Sequence, residues 1–155
     1  MPTEFKSADV ESALLDVLGA AMTGVTVEKL TSASISDDGI LTAVPPYVGL
    51  LYDGSQDAAL RGPARRDYNV DHAWLVLCGA HNLRDKGNSE DTDAKALISR
   101  VRAAVAGVRL TLADGDSTEP IALAGSQLFQ FDSNGTWYSQ RIVVSDVAQF
   151  PGGAV

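Results

Sequence analysis

Residues 69–78 read Asn-Val-Asp-His-Ala-Trp-Leu-Val-Leu-Cys. Side chains alternate along an extended chain, so Val70, Trp74 and Val76 fall on one face and Ala73, Leu75 and Leu77 on the other. Apolar residues on both faces mark a strong strand and place it at the centre of a sheet. A central strand needs a partner on each edge, and the flanking sequence offers candidates.

Upstream, Pro45 and Pro46 precede Tyr47-Val-Gly-Leu-Leu-Tyr52, a short, nearly unbroken apolar run that also fits a covered strand. Val25 to Leu30 alternates and is β-branched in part, which predicts another strand. Residues 31–39, rich in Ser, Thr and Asp, predict a loop. Downstream, Asn134-Gly135 is the preferred pair for a two-residue type I′ turn and predicts a hairpin. A turn there sets Phe131 opposite Tyr138 and Phe129 opposite Gln140, on a face that continues through Ile142 and Val144. The other face carries Gln130, Asp132, Trp137, Ser139, Arg141 and Ser145, a mostly polar set with one large aromatic, suited to water or to another subunit.

Two segments have helical periodicity. After Ser7, a candidate N-cap, Val10, Ala13, Leu14, Val17, Leu18 and Ala21 make an apolar stripe, with Gly24 just past the end. After Thr92 or Asp93, Ala94, Leu97, Ile98, Val101 and Val105 make a second stripe, with Arg100 and Arg102 outside it and Gly107 at the C′ position. Residues 79–91 have turn character. Asp114-Gly115-Asp116 reads as a turn. The predicted fold is α+β: a single domain over residues 1–147, with a mostly antiparallel sheet and two amphipathic helices packed on it. Residues 148–155, containing Pro151, Gly152 and Gly153, are expected to form a mobile tail.

Residues 53–68 fit no period. They mix Gly54, Gly62 and Pro63 with Asp57, Arg61, Arg65, Arg66 and Asp67, and predict a long exposed loop or arm. Loops of that length without structure usually have a function.

Composition narrows the function. The chain has 155 residues, enough for one core without a disulfide or metal staple. With 45% hydrophobic and 21% charged residues it has the balance of a folded domain. A net charge of −8 sets its long-range field against nucleic acid and anionic lipid. Cys78 is the only cysteine, which excludes an intrachain disulfide and a cysteine-rich zinc site. Neither a signal peptide nor a membrane-spanning run is evident, so synthesis in the cytosol is expected.

The chemistry-bearing residues do not converge. His72, Cys78 and His81 are the soft-metal candidates. His72 and Cys78, however, lie roughly 20 Å apart on an extended strand at about 3.3 Å per residue, too far to share an ion. There is no Gly-x-Ser-x-Gly elbow around Ser126 and no glycine-rich phosphate loop. The acids Asp85, Glu90, Asp91 and Asp93 lack the spacing of a calcium loop. No catalytic, metal or cofactor-binding residue is therefore assigned, and no cofactor is expected. Arg61, Arg65 and Arg66 stand out because they cluster in an acidic chain, where guanidiniums suit carboxylates of a neighbouring copy. Together with Trp137 and Arg141 on the polar face of the hairpin, they are the candidate subunit-interface residues.

In order and spacing, these segments resemble the Mu-like prophage tail terminator or tail completion family. The resemblance rests on the N-terminal amphipathic helix, Pro46-Tyr-Val-Gly-Leu-Leu-Tyr52 followed by Asp53-Gly54, and Ala73-Trp-Leu-Val-Leu-Cys78 running into Ala80-His-Asn-Leu-Arg84. It also includes the helix from Ala94 to Val105 closing on Ala106-Gly107, and the hairpin ending Ile142-Val-Val144. It implies a small α+β subunit of a ring, typically a hexamer, at the head-proximal end of a tail tube, contractile by analogy with the Mu-like family. Such a ring stops tube and sheath growth and joins the neck. Implied partners are further copies, tube, sheath and neck proteins, and DNA passing through the lumen without sequence-specific binding. The implied location is the host cytoplasm during assembly and then the virion tail, with no membrane. Alternatives are another head-to-tail connector or minor tail protein and, more distantly, a small hydrolase or metal-dependent enzyme without a recognisable motif.

Overall fold

A five-stranded sheet carries two helices on one face, and the main hydrophobic core lies between them. The computed structural model describes residues 7–31, 46–60, 67–81, 87–113, 115, 117–132 and 135–149. In chain order these form α1 (Ser7–Ala21), β1 (Thr26–Lys29), β2 (Tyr47–Leu60), β3 (Asp67–His81), α2 (Gly87–Val105), β4 (Ala122–Asp132) and β5 (Gly135–Gln149). Across the sheet the order is β1-β2-β3-β5-β4, with β1 and β2 parallel and the remaining neighbours antiparallel. The doubly apolar strand is the central one, and the fold is the predicted α+β domain.

Helix spacing translates into burial almost residue by residue. Val10, Leu14 and Leu18 of α1 are buried, and Met22 does the work expected of Ala21, which is exposed. In α2, Ala94, Leu97, Ile98, Val101 and Val105 are buried while Arg100 and Arg102 face solvent. Gly107 follows in the left-handed region at φ 72°, as a C′ glycine should. Against these stripes the sheet sets Val48, Leu50, Trp74, Val76, Cys78, Ile142 and Val144. Arg100 ties the helices together by donating to the carbonyls of Ala21 and Thr23, just where α1 runs out of internal donors.

Three boundaries differ from the sequence-based expectation. The segment 53–68 is largely not a loop. Past an irregularity at Tyr52/Gly54, β2 continues to Leu60 against β3, with Ser55 opposite His72 and Leu60 opposite Tyr68. β5 lines the other edge of β3 as far as Asp67 opposite Gln149. Backbone pairing, to which polar side chains offer no objection, holds this extension together, so no apolar alternation marks it. Residues 61–66, with Arg61, Arg65 and Arg66, lie outside the described residues. Likewise β5 runs to Gln149, past the expected start of the tail, and 150–155 are outside the description. α2 begins at Gly87 rather than Thr92 or Asp93, because a polar first turn leaves no stripe to read.

The hairpin is correct in kind and shifted in register. Gly135 pairs with Asp132 and Phe131 with Thr136, so the connection is 133–134 rather than Asn134-Gly135. An irregularity between Leu128 and Gln130 then sets Leu128, not Phe131, opposite Tyr138, and Ser126, not Phe129, opposite Gln140. A bulge absorbs one residue without turning the rest of the strand over, which periodicity cannot anticipate.

The face away from the helices has its own small core of Leu30, Tyr47, Leu77 and Trp137, with Leu51 and Leu75 partly buried against it. Trp137 is fully buried within the chain, so the chain's own residues cover this part of the face that alternation left to water or to another subunit. Tyr47 meets it edge-on, with ring centroids 5.5 Å apart. The indole lies on Gly79: a Cβ there would stand 2.7 Å from the ring. With the ring held on all sides, Gly79→Ala is expected to cost about 1–3 kcal/mol as overpacking. Urea unfolding should report a lower midpoint with an unchanged slope, and an unchanged midpoint would mean that the ring has room to move.

Candidate subunit-interface surface

Among the described residues β4 is an edge strand, paired on one side alone, and its residues 122 and 124–129 are exposed. Unprotected edges present unpaired N–H and C=O groups, and natural sheets commonly guard them with charge, proline or bulges. From Ile121 to Phe131 this sequence has neither charge nor proline. It has irregularities at Leu123/Ser126 and Leu128/Gln130. At the second lie the two most exposed of the large apolar side chains described: Leu128 is 54% and Phe129 43% exposed.

Gln140 anchors the first irregularity. Its side chain is fully buried, and Nε2 donates to the carbonyl of Gly125 at 3.0 Å, where φ is 103°. The same nitrogen donates to the carbonyl of Arg141, and Oε1 accepts from Arg102 Nη1 at 3.2 Å. One amide therefore couples edge strand, inner strand and α2. A polar side chain amid hydrophobic neighbours is tolerable because its groups are satisfied.

Of the candidate interface residues, the structure describes the side chains of Trp137 and Arg141. Trp137 belongs to the chain's own second core. Arg141 is on the same outer face, and its Nε donates to Asp53 Oδ2 at 3.2 Å. That bridge crosses Leu75, which pairs with Arg141 on one side and Leu51 on the other. Both partners are more than two-fifths exposed, so the pair adds little to stability and remains open to a competing carboxylate. Leu128 and Phe129 were not singled out by periodicity, which assigned Phe129 to the core face. The signal that was available is the uncharged run 121–131 in a chain of net charge −8.

The remaining polar groups are taken up structurally. His72 is buried against Tyr52 and Trp74, and its Nδ1 shares a hydrogen bond with the Tyr52 hydroxyl at 2.9 Å. Trp74 Nε1 donates to Glu11, which also pairs with Lys29. Tyr47 donates to Glu28, and burial followed by that carboxylate raises its hydroxyl pKa. Burial pushes the Cys78 thiol up to about 12. Among the described residues, no group of three or more His, Cys, Asp or Glu stands together as a metal site, and no helix is long and apolar enough to cross a membrane.

No protein-family model matches the sequence, and no curated protein does. Among solved structures, the chain is similar to one from the virion of a native gene transfer agent (GTA) particle. The TM-score is 0.53 at 13% identity, covering 93% of this chain and 97% of that one. At this identity the likeness is one of fold, and it spans both chains almost end to end.

Two outcomes are expected. Gln140→Ala removes a fully buried side chain together with its hydrogen bonds to Gly125 and Arg102. It should cost about 1–3 kcal/mol and speed amide exchange along β4, whereas slow exchange there would show that the edge holds itself. Native Cys78 should resist a thiol reagent that labels the unfolded chain. Because the unfolded thiol ionises at lower pH than the folded one, stability should fall as pH rises above the ordinary thiol pKa toward 12. Rapid native labelling, or stability flat over that range, would contradict the assignment.

Proposed function

We propose that this chain is a structural subunit of a phage-like tail. It forms a ring, in our reading of six copies, at the head-proximal end of the tail tube, where it stops polymerisation and joins the neck. The observation that carries this reading is the end-to-end likeness of fold to a chain of a GTA virion particle. The resemblance in order and spacing to Mu-like tail terminators points the same way and arises from the sequence alone.

Such a role needs shape rather than chemistry. A ring closes through heterologous contacts, one patch of a subunit meeting a different patch on the next. The bare edge of β4 and the long extension of β2, β3 and β5 offer distinct surfaces for this. Arg61, Arg65 and Arg66, between β2 and β3 in sequence, are candidates to meet carboxylates of a neighbour, and Arg141 to exchange Asp53 for one. The partners in this reading are tube, sheath and neck proteins. The net charge of −8 favours a lumen past which DNA slides without being held.

Polymerising the cognate tube protein with and without this chain tests the role. The chain is expected to give short, capped tubes, and particles made without it should have overgrown tails lacking heads. Tubes of unchanged length together with unjoined heads would favour a connector acting on the portal side. Normal tails joined to heads in its absence would contradict both roles.

A further inference from the structure

We infer that the β4 edge, centred on Leu128 and Phe129, is where one copy of this chain docks on another. The inference rests on the ring reading above and goes beyond it by locating a contact. Electrostatics selects the occupant. Two copies with net charge −8 repel one another, least of all where a surface carries no charge. Residues 121–131 provide such a strip, and 122 and 124–129 are exposed on it. The other edge of the sheet, β1, is only four residues long and exposes Glu28 and Lys29, the kind of charged, short edge that discourages pairing.

The form of the strip also limits what the docking produces. Irregularities at Leu123/Ser126 and Leu128/Gln130 leave only a short regular stretch of ladder between them. A second chain therefore gains a few backbone hydrogen bonds there, supplemented by two large side chains. Long flat edges propagate into fibres, whereas an interrupted edge that presents a local apolar knob favours a closed assembly of defined contacts. Gln140, by fixing the Gly125 carbonyl from behind, keeps the first irregularity in place and the knob correctly presented. Leu128 and Phe129 are neighbours at the second irregularity, so the strip offers one concentrated apolar anchor of the kind that dominates interface energetics.

Light scattering and sedimentation over a concentration series, in salt high enough to screen the acidic surface, test the contact. The full chain should self-associate. Leu128→Lys with Phe129→Lys should remain monomeric over the same range, with an unchanged circular dichroism spectrum and Tm. Ala96→Lys, at an exposed position of α2, should associate like the parent. If the double variant fails to fold, Gln127→Lys places a charge on the same exposed strip with less loss of apolar surface and should weaken association at least tenfold. Undiminished association of the charged β4 variants, or a parent that stays monomeric at its highest soluble concentration in high salt, overturns the contact. The tube-length assay reads the terminator role separately. A chain that caps tubes but never associates through β4 overturns only this contact, and one that associates through β4 but leaves tubes uncapped overturns only the terminator role.

Discussion

Burial of β3 on both faces is the constraint from which the rest of the molecule follows. Trp74, Val76 and Cys78 point to the helices, while Ala73 and Leu77 point the other way, and all five are buried. Water must be excluded from two surfaces of one strand, so a chain of this size has to build two layers. The helices form one, drawn down by their Val10-Leu14-Leu18 and Leu97-Val101-Val105 stripes. The second is much smaller and depends on Trp137 lying flat on Gly79. The outer side of the sheet is therefore sealed at one end by aromatics and remains polar around Arg141 and Asp53.

That uneven cover explains which parts of the molecule serve the fold and which are available for assembly. Trp137 is spent internally, and its Nε1 is the one buried side-chain polar atom found without a hydrogen-bond partner among the described residues. Tolerating it suggests how strongly the ring's apolar area is needed there, since an unsatisfied indole N–H opposes folding. β4 is the reverse case. Of its described side chains, Leu123 alone packs against a core, and only partly, yet Gln140 and the β5 ladder hold the strand in a defined, bulged shape. Rigid presentation of uncharged surface at a sheet edge suits a subunit whose work is done by contact.

Most of the architecture was legible from the sequence because it is written in periodicity. Apolar residues at helical spacing located α1 and the buried part of α2, alternation located β3, and Gly107 marked the helix end. The misses share one cause: backbone pairing leaves no hydrophobic trace. Gln56, Asp57 and Asp67 look like loop residues, yet their strands pair. In the final hairpin, the bulge between Leu128 and Gln130 moved Phe129 out of the register that Asn134-Gly135 suggested. The candidate surface was less legible. Arg141 is exposed, whereas Trp137 on the same face is covered by the chain itself, because an aromatic on a mostly polar strand face reads the same whether a second subunit or the chain's own Tyr47 and Leu77 covers it.

Assembly by shape, with this chain in a ring at the end of a tube, makes a claim about position more than about any residue. Cryo-EM of the assembled particle tests it most directly. The expected result is a closed ring of copies between the head-proximal end of the tail tube and the neck, with β4 against a neighbour. Density for the chain at the baseplate, or its complete absence from the particle, would contradict it.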